Sequence, residues 1–217
     1  PFAVRPLTER DVFAHVRYGE HSVAVTFQRA CVWTRKSGGG CLFCAIASQF
    51  GSDFHCTVQS DFFVSELAEM LQQNPDILFV DIWDDTFNID EKWVFWMCGH
   101  LDALRDRVGR DLVFSCFLRP RGINEKIASR MGQARLKVAF VGADALTEDL
   151  SKRMRRGCSV KELNAAVAAL GKGGVSPRLS VQVFTPESTV DDVGITATTA
   201  LQCIPEDGES TAHVHLF

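Results

Sequence analysis

No apolar run in this chain approaches the roughly 18 residues that a membrane-crossing helix needs, and no signal peptide is visible. Positive charge is not in excess either: 23 Lys and Arg stand against 27 Asp and Glu, a formal net charge of −4. A general electrostatic grip on nucleic acid is therefore not expected. The dense basic run Lys152-Arg153-Met154-Arg155-Arg156 reads as a solvated helix end. A disulfide framework is missing too. Eight cysteines are spread over 217 residues that are 46% hydrophobic, too long and too rich in core residues for a stapled scaffold. Reduced thiols and a cytoplasmic setting are the expectation. The chain opens on Pro1, not Met, and is read as a domain cut from something longer; residues 1–21, mixed and without a clear period, are read as a linker or edge segment from an upstream domain and 22–217 as the folded core.

What is present is a regular alternation. Val23 to Phe27 is rich in β-formers. Asp61 to Gln73 places Phe62, Phe63, Leu67, Met70 and Leu71 at helical spacing, with Ser60 as its N-cap. Strand signatures follow at 76–83, 112–118, 136–141, 179–184 and 212–217, and helical ones at 90–108, 124–134, 147–156, 159–170 and 189–201. Six strand–helix units in succession imply parallel strands joined by right-handed crossovers. The expected fold is α/β, a partial (β/α)6 barrel of parallel strands, since a full eight-unit barrel takes roughly 250 residues. In such a fold ligands sit beyond the carboxyl ends of the strands. The loops there contain Asp84-Asp85, Arg119-Pro120-Arg121, Gly142-Ala143-Asp144 and Thr185-Pro186-Glu187.

The first strand leads into Cys31-Val-Trp-Thr-Arg-Lys-Ser-Gly-Gly-Gly-Cys41-Leu-Phe-Cys44, three cysteines spaced C-x9-C-x2-C around a glycine run. Glycine lets such a loop turn several thiolates toward one place. A zinc ion would need a fourth ligand, from His55 or Cys56, and structural zinc sites generally pair two short-spaced couples where this chain has a single C-x2-C. A thioredoxin-like C-x2-C would leave Cys31 and the later units unexplained. A cluster held by three cysteines leaves one iron open for a cofactor at the strand-end rim. Spacing alone leaves zinc and the cluster both open.

A strand, a three-cysteine loop ending in Cys-x-aromatic-Cys, and a six-unit partial barrel together resemble the radical S-adenosylmethionine superfamily, over the stretch from about Ser22 to the end. Four later segments are similar to its cobalamin-dependent branch: Phe79 to Phe87, Phe114 to Pro120, Val141 to Asp144 with Leu150 to Met154, and Phe184 to Glu187 with Asp191-Asp192. The chain departs from the usual C-x3-C-x2-C spacing, and Ala145 stands where Ser is usual. The resemblance implies that Cys31, Cys41 and Cys44 hold a [4Fe–4S] cluster, whose open iron takes S-adenosylmethionine. It implies that Phe43 packs near cluster and adenine, and that Asp84 and Asp85 face the methionine ammonium. Arg119 would pair with the carboxylate, and Asp144 and Gln182 with the ribose. It further implies a flavodoxin- or ferredoxin-like electron donor, cobalamin bound by an upstream domain, and methylation of an unreactive carbon.

Each assignment has a structural rival. Phe43 reads equally as core, and Arg119 as a surface ion pair. One of Asp84 and Asp85 is expected to cap, as is Asp144 ahead of the helix from Thr147. Cys56, Cys98, Cys116, Cys158 and Cys203 read as core or incidental, and His213 and His215 as structural. The alternative for the whole chain is a non-catalytic binding or scaffold domain stabilised by zinc on Cys31, Cys41, Cys44 and Cys56. The stretch from Thr34 to Gly40 is expected to bulge outward while Cys31 reaches back to Cys41 and Cys44.

Overall fold

The alternating pattern folds into one parallel sheet. The computed structural model describes residues 21–29, 31–37, 39–50, 56–57, 60–202 and 212–215. The expected linker apart from His21 lies outside the described residues, as do His55 and Cys203. Six strands form the sheet: β1 (Ser22–Val25), β4 (Phe79–Ile82), β5 (Val113–Leu118), β6 (Leu136–Asp144), β7 (Ser176–Gln182) and β8 (Ala212–His215). They are neighbours in that order, and each pair is parallel. The six-unit partial barrel is thus the observed architecture. Between β1 and β4 lie a two-residue antiparallel ladder, β2 (Gln28–Arg29) with β3 (Cys56–Thr57), and two short helices, α1 (Val32–Ser37) and α2 (Ile46–Phe50).

Longer helices follow: α3 (Ser60–Gln73), α4 (Glu91–Val108), α5 (Glu125–Gln133), α6 (Glu148–Arg153), α7 (Val160–Lys172) and α8 (Val190–Gln202). Ser60 is the first residue of α3, not a cap outside it. Strand parity decides which side is core. Val80 and Ile82 of β4, Phe114 and Cys116 of β5, and Ala139, Val141 and Ala143 of β6 are buried against α3, α4, α5 and α7. The residues between them face the other, concave side. Fully burying one such aliphatic or aromatic side chain contributes about 1.5–3 kcal/mol, so this layer dominates the fold's stabilisation. Cys98 and Cys116 belong to it, as core residues. Among the described residues no helix is long and apolar enough to cross a membrane.

Local chemistry sets the helix ends. Asp90 accepts from the Trp93 amide at 2.8 Å, and α4 stops at Gly109 with φ 68°. Asn124 and Thr147 cap α5 and α6, and Ser159 with Glu162 forms a reciprocal capping box on α7. Thr147 therefore fills the cap position considered for Asp144. Strand β7 begins earlier than its apolar run suggests, because parallel pairing to β6 starts at Val138–Ser176.

Helices α5 and α7 meet through glycine. A Cβ on Gly132 would lie 1.9 Å from the Gly173 carbonyl oxygen, whereas one on Gly171 meets nothing within 4 Å. Gly132→Ala is expected to destabilise the fold by ~1–3 kcal/mol through overpacking. Gly171→Ala, in the same helix pair, is expected to stabilise it by ~0.5–1 kcal/mol. Urea unfolding of both variants checks the pair of signs.

Candidate functional site

The cysteine loop is built around α1. Cys31 precedes it and its carbonyl accepts from the Thr34 amide at 3.0 Å. Thr34 is buried, and Gly40, with φ 80°, closes onto it so tightly that a Cβ there would lie 3.0 Å from Thr34 Oγ1. The Gly39 amide donates to the Thr34 carbonyl, and the Cys44 amide to the Cys41 carbonyl. The described part of the gap, residues 32–37 and 39–40, is therefore coiled and folded back, where an outward bulge is expected from Thr34 to Gly40.

This loop docks on the turn that ends α6. Met154 caps the helix, Arg155 takes φ 53°, and the amides of Arg155 and Arg156 donate back to Lys152 and Ser151. That is a Schellman-type ending, which leaves the following carbonyls pointing outward. Each finds a donor. The Leu42 amide reaches the Met154 carbonyl at 3.1 Å, and Trp33 Nε1 the Arg155 carbonyl at 2.7 Å. Arg119 Nη2 reaches that of Arg156 at 2.9 Å, and Arg121 Nη1 that of Gly157 at 3.1 Å. Cys41 Sγ also donates to the Arg156 carbonyl, at 3.9 Å. Trp33 lies against Gly157 (φ 67°), where a Cβ would sit 2.3 Å from the indole, and the Arg119 guanidinium stacks over the same ring at 5.2 Å.

The result is a cavity of about 390 Å³ at the carboxyl ends of β4, β5, β6 and β7, lined by all three loop cysteines. Cys31, Cys41 and Cys44 are free and half-buried. Around them stand Phe43, Asp85, Thr86, Phe117, Arg119, Phe140, Asp144, Arg156 and Ser180. Burial pushes the Cys41 thiol up to about 12, against the pull of Arg156 and Arg119. It also raises Cys44, against a hydrogen bond from the Ile46 amide. Among the described residues no three His, Cys, Asp or Glu side chains meet as a ready-made chelate for one metal ion. The thiols share a cavity, not a point.

Of the residues anticipated for cofactor binding, Phe43, Asp85, Arg119 and Asp144 line this cavity. Asp84 does not. It is 2% exposed and its Oδ1 accepts from the Phe27 and Gln28 amides at 2.7 and 3.0 Å. Parity explains this: Asp84 continues the core-facing series Val80, Ile82, while Asp85 falls on the other side and pairs with Arg29 at 3.7 Å. Gln182 is not among the lining residues either; Ser180, two residues earlier on the same face, is. Arg119 is no surface ion pair, since its guanidinium is spent on Trp33 and the Arg156 carbonyl. The side chains of Cys56, His213 and His215 lie outside the described ones, although β8 sets His213 level with Ser180.

One residue was missed. Arg156, read with its neighbours as a solvated helix end, is 3% exposed. Its guanidinium donates to the Gly142 and Ala143 carbonyls and pairs with Asp144 at 2.8 Å. Lys152 at 77% side-chain exposure does fit the solvated reading. Gly157 in the sequence marks that a turn follows, but nothing in the basic run tells Arg156 from its neighbours.

No protein-family profile matches the chain, and no curated protein does. Solved structures do. The radical S-adenosylmethionine methyltransferase TsrM from Kitasatospora setae, solved with cobalamin and a [4Fe–4S] cluster bound, superposes with a TM-score of 0.71 at 16% identity, over 89% of this chain and 34% of that one. The cobalamin-dependent S-adenosylmethionine radical enzyme OxsB, with aqua-cobalamin and S-adenosylmethionine bound, gives 0.65 at 12% identity, over 87% and 27%. The radical SAM enzyme coproporphyrinogen III oxidase (HemN) from Escherichia coli gives 0.55 at 12% identity, over 91% and 44%. The chain thus spans between about a quarter and under half of these structures, and it has the fold of the radical S-adenosylmethionine enzyme core.

Two outcomes follow from the charges buried here. Arg156→Met removes the guanidinium that pairs with the Asp144 carboxylate and donates to the Gly142 and Ala143 carbonyls. A loss of about 3 kcal/mol is expected, while Arg155→Gly, which suits the positive φ, stays within about 1 kcal/mol of wild type; urea unfolding measures both. Burial pushes Asp84 up to about 7, above its unfolded value. The native state therefore binds the extra proton between about pH 4 and 7, and ionising Asp84 costs stability as the pH rises through that window. Wild type is expected to lose stability relative to Asp84→Asn from about pH 4 to 7 and to level off above; the opposite slope in unfolding at stepped pH would show that the ionised form is favoured.

Proposed function

We propose that this chain is the catalytic core of a radical S-adenosylmethionine enzyme. The observation that carries the reading is the shared cavity: three free thiols together with Asp85, Arg119, Asp144 and Arg156 at the carboxyl end of a parallel sheet. The donor set suits a [4Fe–4S] cluster better than zinc. A tetrahedral zinc ion draws its sulfurs to within about 2.3 Å of one point. A cubane cluster takes each thiolate on a different iron, so its ligands line a pocket. Cys31, Cys41 and Cys44 would hold that cluster, which when bound supplies the electron that cleaves S-adenosylmethionine to methionine and a 5′-deoxyadenosyl radical.

The chain's own residues have definite tasks in this reading. The three cysteines must lose their protons to bind iron, and Arg119 and Arg156 offset the negative charge that results. Asp85 presents a carboxylate to the methionine ammonium. Arg119, already oriented by Trp33, offers its remaining donors to the methionine carboxylate. Asp144, fixed by Arg156, stands toward the ribose, with Ser180 and Gln182 along the same face of β7. Phe43, 37% exposed, forms part of the cavity wall beside the cysteines and helps exclude water. Methyl transfer with cobalamin from an upstream domain is the finer form of this reading, supported by the TsrM and OxsB structures. A flavodoxin- or ferredoxin-like protein would deliver the electron.

Anaerobic reconstitution with iron and sulfide is expected to give four irons per chain, and 5′-deoxyadenosine with S-adenosylmethionine and a strong reductant. Cys41→Ala should lose the cluster, while Cys98→Ala, in the core, should keep it. One tightly held zinc in aerobically purified protein, with no 5′-deoxyadenosine after reconstitution, would instead favour the scaffold reading.

A further inference from the structure

The concave face of the sheet carries side chains in register rows. Phe117 pairs with Phe140, and Phe140 with Arg178. Trp83 follows the Ile82–Cys116 pair by one residue and so stands level with Phe117. The Trp83 and Phe117 rings meet edge to face at 6.4 Å, and Phe117 stacks on Phe140 at 5.0 Å and 22°. In a closed barrel this layer would be filled from the opposite strands. Here Trp83 is 39% and Phe117 38% exposed. Phe117 and Phe140 also line the cysteine cavity, so the row runs directly out of it. Arg178 ends the row, half-buried, its backbone in the β6–β7 ladder and its guanidinium with no hydrogen-bond or ion-pair partner among the described residues. The neighbouring row holds the Asp81 carboxylate, occupied by Ser115 Oγ at 2.6 Å.

We propose that this row is the substrate seat: it takes a planar aromatic carboxylate, its ring against Trp83 and Phe117 and its carboxylate on Arg178. The inference rests on the functional reading above for its claim that the bound molecule is a substrate. Partly exposed aromatic side chains in a ring-lined row favour a flat partner that offers a face and an edge. Two strand spacings separate Phe117 from Arg178, roughly 10 Å between backbones, which a ring with a short acid side chain spans once the arginine reaches inward. A single guanidinium beside an acidic row suits one negative charge; a phosphate dianion would meet Asp81 with only one cation to offset it.

The test is calorimetric titration of the cluster-loaded chain, with S-adenosylmethionine present, using indole-3-propionate, indole-3-propionamide and cyclohexanepropionate. The indole acid is expected to bind best, with the amide about tenfold weaker. Arg178→Gln should weaken the acid by about tenfold and erase its advantage over the amide, and Arg178→Lys should restore part of it. Trp83→Leu should weaken both indoles and leave the cyclohexane acid unchanged. Equal binding of acid and amide, or acid binding indifferent to Arg178→Gln in a variant with a wild-type unfolding midpoint, overturns the proposal. So does a wild type that cleaves S-adenosylmethionine but binds none of the three, or a dimer in sedimentation that Trp83→Glu dissociates, which would assign the face to a second copy. Cleavage measured without any probe reports on the functional reading separately: Arg178-dependent binding without cleavage would support the seat and sink the enzyme assignment.

Discussion

Four consecutive carbonyls, from Met154 to Gly157, hold the site together. Helix α6 ends with Arg155 in a left-handed conformation, so these groups leave the helix ladder and point toward the strand ends. Carbonyls freed from a helix ladder take donors from elsewhere, and here the partners come from three separate parts of the chain: the cysteine loop, α1, and the segment after β5. The Arg156 side chain adds a fourth attachment, to the end of β6. A turn of this kind converts a local helix ending into a bracket that fixes the cysteine loop relative to the sheet. The cavity inherits its shape from that bracket.

Charge is distributed around the bracket so that opposite roles fall on adjacent residues. Asp84 serves the fold: it fixes two amides at the point where β1 gives way to the loop, and it is driven toward the neutral form by its burial. Asp85, one residue on, faces the cavity with Arg29. Asp144 and Arg156 satisfy each other under the strand ends, while Arg119 is aligned by an indole ring. Burial raises the Cys41 and Cys44 thiols, and the Arg119 guanidinium stands beside them in the same cavity. A second buried carboxylate shows the same economy of placement: Asp192 accepts from Thr189 and Thr147 and pairs with Arg153, and hydrogen bonds from Thr189 bring it down to about 2. It joins the cap of α6 to the start of α8, so the bracket is anchored from behind as well.

The sheet and its order were legible because apolar periodicity switches cleanly between two and 3.6 along the chain, and because six repeats of that switch admit few topologies. The rim of candidate ligands was legible for the same reason, since strand ends locate loops. What the pattern could not convey was which of two neighbouring aspartates turns inward, although the parity of Val80 and Ile82 held that information. Arg156 was hidden by its neighbours: in a basic run every member looks solvated, and only the three-dimensional path of the turn separates it from Lys152. Helix α1 was hidden by glycine. Six helical residues between Cys31 and the glycine run have too little length to show a period, and their helicity is imposed by packing on Gly157, not by propensity.

The long first gap of the cysteine loop then has a physical account. Closing nine residues between two cysteines of one cavity costs more chain entropy than closing three, though the increment grows only slowly with length. Trp33 on Gly157, Leu42 on Met154 and Gly40 on Thr34 restrain the insertion at three places. The added residues also bring the loop an aromatic ring of its own, and that ring orients Arg119. In this chain the thiols share one cavity because the insertion that separates Cys31 from Cys41 in sequence is the part that ties them to the same turn in space.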